Sequence, residues 1–227
     1  MYTYAFIKTP EVTLELPQGI KGDLEIVTEK QLAAIVEPGV SIETIEAIIQ
    51  DDELLRHAYI RHGLVVSEAF RKTTILPLRF YHCFADRANL TLHLTTHQEQ
   101  YLAQLTNLSG KAEYILKFIP QEPPVPTVAT EGKGREYFLA KKQRYQIQQN
   151  WKIQQGRERD SLIEKIAQAY GNAVIAEGQE QIYLLINRHA EEGLYQQLQT
   201  WQKSCPTWEL RLSDAIPPYD FLSPQTG

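Results

Sequence analysis

A cluster of prolines constrains this chain more than any other feature. Four of them stand within seven residues: Pro120, Pro123, Pro124 and Pro126. Proline fixes φ and has no backbone N–H, so a segment this rich in proline is extended and semi-rigid rather than packed. We therefore predict a connector over 120–133. It separates an N-terminal α+β domain (1–119) from a C-terminal domain (134–212), which is followed by a tail (213–227).

The composition is that of an ordinary globular protein. Of the 227 residues, 43% are hydrophobic and 22% are charged, so the chain can bury a substantial core. The net charge of −5 provides no overall attraction to nucleic acid. No apolar run approaches the roughly 20 residues that cross a bilayer, and the first residues do not resemble a secretory signal. Two distant cysteines without a CxxC pattern indicate reduced thiols and hence a cytoplasmic protein.

The first half predicts a mixture of strands and helices. Its alternating apolar residues favour strands over 2–7, 24–27, 32–36 and 75–80, although 32–36 could equally form one helical turn. Ser41 can cap the helix that follows, and the acidic residues from Asp51 onward predict a break or an exposed face. A core-facing stripe is predicted at Ile45, Ile48, Ile49, Leu55, Tyr59 and Val66. Gly63 costs roughly 1 kcal/mol inside a helix, which suggests the close approach of another backbone segment.

The run Ile75–Phe80 contains a proline and an arginine among apolar residues. Pro77 removes a ladder hydrogen bond, which predicts a strand start, an edge or a bulge. Arg79 must find a partner or reach solvent, because an unpaired buried charge is costly. We assign a structural role to both residues.

The second half predicts the order β-α-β-β-α-β, which is typical of a ferredoxin-like sandwich. The predicted segments are 112–119, 136–170, 173–176, 181–186, 191–203 and 207–212. The long helix could be broken at Gly156, and a turn is predicted over 177–179. Strand 112–119 could belong to either domain. The tail is rich in proline, yet Ile216, Tyr219 and Phe221 are too apolar for a free end, so we expect the tail to dock.

Two histidines have the i, i+4 spacing of a helical metal site, His93 and His97. The run LTLHLTTHQ alternates like a strand, however, and no third ligand is visible, so we predict exposed or capping histidines. Thr95 or Thr96 is then expected to cap a helix that runs to about Leu105.

A pocket near Arg79, His57 and Cys83 is the enzyme or ligand-binding alternative. His82 and Cys83 are neighbours, and on a strand neighbouring side chains point to opposite faces, so His82 cannot serve as the base for this thiol. The sequence contains no phosphate-binding loop, dinucleotide fingerprint or nucleophile elbow. It indicates no cofactor, no metal and no catalytic residue.

The segment 133–152 is strongly basic and contains aromatic residues between its cations, which include Lys141, Lys142 and Arg144. This mixture is typical of a nucleic-acid surface. Because the whole chain is acidic and carries no RNA-binding signature, we favour a long helix whose aromatic residues face the core while its cations are solvated. The same helix could instead contact an acidic protein partner. A nucleic-acid binder is the alternative.

Several short motifs follow one another along nearly the whole chain: Tyr2–Phe6 (YTYAF), His57-Ala58, Leu76–Phe80 (LPLRF), Leu108–Glu113 (LSGKAE), Gly134–Leu139 (GREYFL) with Lys141-Lys142, and Pro217–Phe221 (PPYDF). The pair LPLRF and PPYDF at this separation is the most specific of these signals. In this order the motifs resemble the GvpF/GvpL family of gas vesicle proteins.

The resemblance implies an accessory or minor structural protein that acts in gas vesicle assembly and is not an enzyme. Its expected partners are the hydrophobic shell protein and other vesicle proteins, with neither nucleic acid nor membrane. The expected location is the gas vesicle in the cytoplasm. For partner binding we select the apolar tail and the cationic helix: Ile216, Tyr219, Phe221, Lys141, Lys142 and Arg144.

Overall fold

The computed structural model of this protein describes residues 1–124, 134–176 and 180–222. Most of the predicted connector, the turn predicted over 177–179 and the last five residues of the tail lie outside these ranges. The chain forms two compact units, Met1–Glu113 with Ala215–Gly227 and Tyr114–Asp214. The division falls inside a strand, before the boundary that the prolines suggest. The connector and the domain limits drawn from it stay a prediction.

The first unit contains a four-stranded antiparallel sheet in the order β2-β3-β1-β4. Its strands are β1 (Tyr2–Lys8), β2 (Glu25–Glu29), β3 (Leu32–Glu37) and β4 (Ile75–Pro77). Residues 2–7 of β1 are all buried, so this strand lies at the centre of the core. Residues 32–36, which could have formed either a strand or a helical turn, form a strand. Strand β4 lies at the edge of the sheet, as Pro77 predicts.

Four helices belong to the same unit. They are α1 (Ile42–Ile49), α2 (Asp52–Lys72), α3 (Arg87–Thr96) and α4 (Gln98–Leu108). Ser41 caps α1, accepting the N–H of Thr44, and Asp51 caps α2, accepting the N–H groups of Glu53 and Leu54. The prediction of a cap at Ser41 and a break near Asp51 is therefore confirmed.

The prediction for the region around His93 is wrong. LTLHLTTHQ does not form a strand but lies mostly in α3, which Asp86 caps by accepting the N–H of Asn89. The hydroxyls of Thr95 and Thr96 donate to carbonyls one turn earlier in α3 instead of capping α4. Threonine can satisfy its hydroxyl within a helix in this way, so the alternation of polar and apolar residues is misleading here.

The predicted core stripe on α1 and α2 is correct only in part. Ile45, Ile48 and Val66 are buried, whereas Ile49 is exposed and Tyr59 is 65% exposed. The suggestion for Gly63 is wrong as well, because a Cβ placed there would meet nothing within 4 Å. One side of α2 therefore faces open space with apolar residues on it.

The second unit contains the other sheet, in the order β6-β7-β5-β8. Its elements are β5 (Lys111–Pro120), α5 (Arg135–Ala169), β6 (Val174–Ile175), β7 (Gln181–Asn187), α6 (Glu191–Ser204) and β8 (Trp208–Leu212). The element order is the predicted β-α-β-β-α-β. Strand β5 completes this sheet, and α5 continues through Gly156 without a break. The mixed α+β class with two sheets is confirmed, while the ferredoxin-like topology in detail stays a prediction.

Only the C-terminal part of α5 contributes to the core of the second unit. Leu162, Ile163 and Ile166 are buried. The indole of Trp208 donates to the Gln155 carbonyl (2.9 Å), and Glu158 accepts the hydroxyl of Thr207 (2.6 Å). Of the described side chains from residue 135 to residue 161, none is buried.

A buried carboxylate fixes the loop between β1 and β2. Glu37 Oε2 accepts the hydroxyl of Tyr4 (2.6 Å) and the N–H of Ile20 (2.7 Å). Its other oxygen accepts the N–H groups of Lys21 (2.7 Å) and Gly22 (2.6 Å). These four donors replace water around the carboxylate, which would otherwise be costly to bury.

We predict that Gly19→Ala destabilises the protein by about 2–3 kcal/mol, because the added Cβ disrupts this network. It would lie 2.6 Å from Glu37 Cδ and 2.8 Å from the hydroxyl of Tyr4. The matched control is Gly22→Ala, whose Cβ would lie 4.0 Å from Glu37 Oε1. Chemical denaturation measures both variants. Equal stability losses would contradict the assigned role of Gly19.

Candidate functional site

The predicted tail docks on the first unit. Ile216 pairs with Glu113 through two backbone hydrogen bonds, of 2.9 and 3.0 Å. Pro217 and Pro218 are buried, and a short 3-10 helix follows at Tyr219–Phe221. The expectation of a docked tail is therefore confirmed.

Docking of the tail buries part of the apolar surface that we predict to bind a partner. Ile216, Tyr219 and Phe221 are all half-buried. Partial burial raises the pKa of the Tyr219 phenol above its usual value. Partner binding by these three residues stays a prediction.

Three polar side chains, those of Glu113, Arg79 and Asp220, hold the tail in place. Glu113, 1% exposed, accepts the N–H of Asp220 (2.9 Å), and Asp220 forms an ion pair with Arg79 (3.3 Å). The Arg79 side chain is 77% exposed, so this pair is worth little on its own. Burial raises the pKa of Glu113 to about 7, although the N–H of Asp220 favours the charged form. Glu113 thus keeps its proton into the neutral range when the protein is folded.

The alternative pocket near Arg79, His57 and Cys83 lacks an activated nucleophile. His57 is exposed on α2, while Cys83 is half-buried. Burial raises the pKa of the Cys83 thiol, which opposes formation of the thiolate. Arg79 is occupied by Asp220. These features argue against nucleophilic catalysis at Cys83.

Two other histidines, His62 and His93, make hydrogen bonds within the first unit. His62 is buried and lies 2.8 Å from the Tyr2 hydroxyl and 3.1 Å from the Leu78 carbonyl oxygen. The ring of His93 lies 2.7 Å from the Tyr101 hydroxyl. Burial lowers the pKa of both histidines to about 4, so both are neutral at physiological pH. In the described part of the chain, no group of three or more histidine, cysteine or acidic side chains is placed to hold a metal ion.

An apolar groove of about 570 Å³ runs along α2 in the first unit. Ile60 and Leu64, each about half exposed, line one side, and Leu16 and Pro17 of the β1–β2 loop line the other. Gly63 lies between Ile60 and Leu64 on the helix and also lines the groove. This site is not evident from the sequence, since it combines a loop and a helix that are far apart in the chain.

Two cations attach the loop to α2. Arg61 donates to the carbonyls of Gln18 and Gly19, and Lys72 donates to the carbonyl of Glu15. The groove lies between these attachments and is therefore held open by polar contacts. The only sequence signal for it is the pair of apolar residues at Ile60 and Leu64, which lie outside the predicted core stripe.

The cationic helix presents a second surface, on α5 of the second unit. Lys141 and Lys142 are exposed, and Arg144 is half-buried. Phe138 and Tyr145 are 71% and 62% exposed, so the expectation that the aromatic residues of this helix face the core is wrong for both. These residues belong to a different unit from the tail. Within the described ranges, no helix combines the length and the apolar character that crossing a bilayer requires.

This fold is similar to that of solved gas vesicle proteins. The crystal structure of GvpF from Anabaena sp. PCC7120 superposes with a TM-score of 0.69 at 14% identity, over 99% of this chain and 96% of that one. GvpF from Microcystis aeruginosa gives a TM-score of 0.67 at 14% identity, over 98% of both chains. At this identity the likeness shows the fold alone.

The sequence itself identifies the family. The model for "Gas vesicle synthesis protein GvpL/GvpF" matches residues 1–223. The chain therefore belongs to the GvpL/GvpF family, as the sequence motifs suggest. No match is found among curated protein sequences.

The titration of Glu113 predicts how stability depends on pH. The pKa of Glu113 is about 7 in the folded protein and about 4.5 in the unfolded chain. Its contribution to the free energy of unfolding is therefore fully present below pH 4.5 and is lost as the pH rises through 7. We expect Glu113→Gln to remove this loss, which is on the order of 3 kcal/mol.

Urea denaturation of the variant and the natural protein from pH 4.5 to 8 measures this effect. The difference between their stabilities is informative, because the titration of the histidines cancels in it. Glu99→Gln, at an exposed position on α4, is the matched control. A difference that does not change with pH would contradict the assignment.

Proposed function

We propose that this protein acts in gas vesicle assembly by binding the hydrophobic shell protein and other vesicle proteins. The family match over residues 1–223 carries the proposal. A subunit that polymerises through apolar surface needs a partner that covers this surface before it is incorporated. Such a role requires binding surfaces and no catalytic step, and it places the protein at the gas vesicle in the cytoplasm.

The groove along α2 is the surface that we assign to an apolar segment of the shell protein. Ile60, Leu64 and Leu16 offer apolar contacts on two sides. The groove volume lies within the range of about 300–1,000 Å³ that is usual for binding pockets. Glu68, at one end, is paired with Arg71 and Lys72. An apolar occupant therefore meets Glu68 as a paired carboxylate.

The cationic helix and the tail are assigned to other vesicle proteins. Lys141 and Lys142 are accessible on α5 and suit an acidic partner. Ile216 and Phe221 keep part of their apolar surface exposed while the tail is docked. Their partners are accessory proteins in this proposal, and a further copy of this protein counts as one of them. The α2 groove is left for the shell protein.

Filling the groove tests its role without damaging the fold. We predict that Gly63→Leu reduces capture of the co-expressed shell protein at least about tenfold, because the new side chain occupies the space that Gly63 leaves open. The free energy of unfolding should stay the same or rise, since leucine favours a helix over glycine by up to about 1 kcal/mol. A pull-down and a thermal melt measure the two effects.

Gly156→Leu is the matched control, since Gly156 is also a helical glycine with open space around its Cβ position but lies on α5. It should capture the shell protein as the natural chain does. Undiminished capture by Gly63→Leu would refute the assignment of the groove. Failure of the natural chain to capture any vesicle protein would refute the proposed function itself.

A further inference from the structure

The exposed side of α5 carries a cation between two aromatic residues in its N-terminal turns. Phe138, Lys142 and Tyr145 follow one another at intervals of four and three residues and are all exposed. Residues at this spacing lie above one another on one side of a helix. We call these three residues the basic stripe. It places a cation between two aromatic rings.

The exposed side of α1 repeats the same spacing with the opposite charge. Ile42, Glu46 and Ile49 follow one another at intervals of four and three residues and are all exposed. We call these residues the acidic stripe. The hydroxyl of Tyr81 lies 3.4 Å from Glu46 Oε1, which leaves the other carboxylate oxygen accessible.

The charge around each stripe has the same sign as its central residue. Residues 135–157 contain six basic residues and one acidic residue, whereas residues 42–54 contain five acidic residues and no basic one. Opposite charges in such surroundings favour encounter between the two stripes, and the matched apolar residues exclude water from the contact. Each stripe therefore has the spacing and charge that the other requires.

We propose that the basic stripe of one copy of this protein binds the acidic stripe of a second copy. The two stripes are different surfaces, so the contact is head-to-tail and leaves one free stripe at each end of a pair. Further copies can add at both ends. Repetition of this contact would thus build assemblies of more than two copies.

A nucleic acid is the less suitable occupant of the basic stripe. A phosphate backbone would use the cation, but single-stranded bases would have to stack on Phe138 and Tyr145 while the chain as a whole carries a net charge of −5. The acidic stripe would have no use in that complex. A contact between two copies uses the basic stripe of one copy and the acidic stripe of the other.

Charge reversal gives a test that separates this contact from general effects of charge. In Lys142→Glu two acidic stripes would face each other at the contact, and in Glu46→Lys two basic stripes would do so. Each variant alone should therefore associate at least about tenfold more weakly than the natural chain. A mixture of the two variants restores opposite charges at every junction. It should associate as the natural chain does.

Sedimentation velocity at protein concentrations from 10 µM to about 1 mM, in low and high salt, measures the association. High salt should weaken it, because exposed charges are screened. The matched controls are Lys203→Glu on α6 and Glu99→Lys on α4, which change the net charge equally at exposed positions outside both stripes. Thermal melts of all four variants verify that each is folded.

The proposal is overturned if the natural chain stays monomeric at the highest concentration, if the mixture does not recover, or if the controls lose association to the same extent. Salt-sensitive RNA binding that Lys142→Glu abolishes, without association of copies, would also overturn it and assign the basic stripe to nucleic acid. These variants leave the α2 groove unchanged. A negative result here is therefore distinct from a failure of the proposed shell binding.

Discussion

The carboxylate of Glu37 holds the first unit together at the point where its sheet meets its longest loop. Its four donors come from Tyr4 on β1 and from the N–H groups of three successive loop residues, Ile20 to Gly22. A buried carboxylate without such donors would cost several kcal/mol. The loop therefore has one favourable position, and Leu16 and Pro17 reach the side of α2 as a result. The apolar groove depends on a charged group that is not part of it.

Local sequence signals predict much of the fold because they act over a few residues. Ser41 and Asp51 are caps in the structure because their side chains accept N–H groups two or three positions away. The order of elements in the second half follows from periodicity in the same way. The prediction for the α3 region is wrong because its threonines are compatible with either a strand or a helix. The prediction for Tyr59 is wrong because helical spacing does not show which side of a helix packs on the sheet.

The candidate sites are predictable to a smaller extent. The exposed cations Lys141 and Lys142 follow from composition alone, and the docked tail follows from apolar residues that proline keeps out of a helix. The groove could not be predicted, since Leu16 and Ile60 become neighbours only in the folded chain. There the Glu37 network and the hydrogen bonds from Arg61 and Lys72 place the loop beside α2. A single sequence carries no signal for a contact of that kind.

The pairing of Ile216 with Glu113 has a consequence for biosynthesis. The first unit takes its β-sheet from the early part of the chain but receives its last pieces from residues near the end. A ribosome therefore exposes the sheet and helices long before the segment that covers Glu113 has been translated. During this interval the nascent unit keeps an uncovered edge, and contacts this distant in sequence form late and slowly. Translation of the segment around Ile216, rather than emergence of the first half, is the step at which this unit becomes complete.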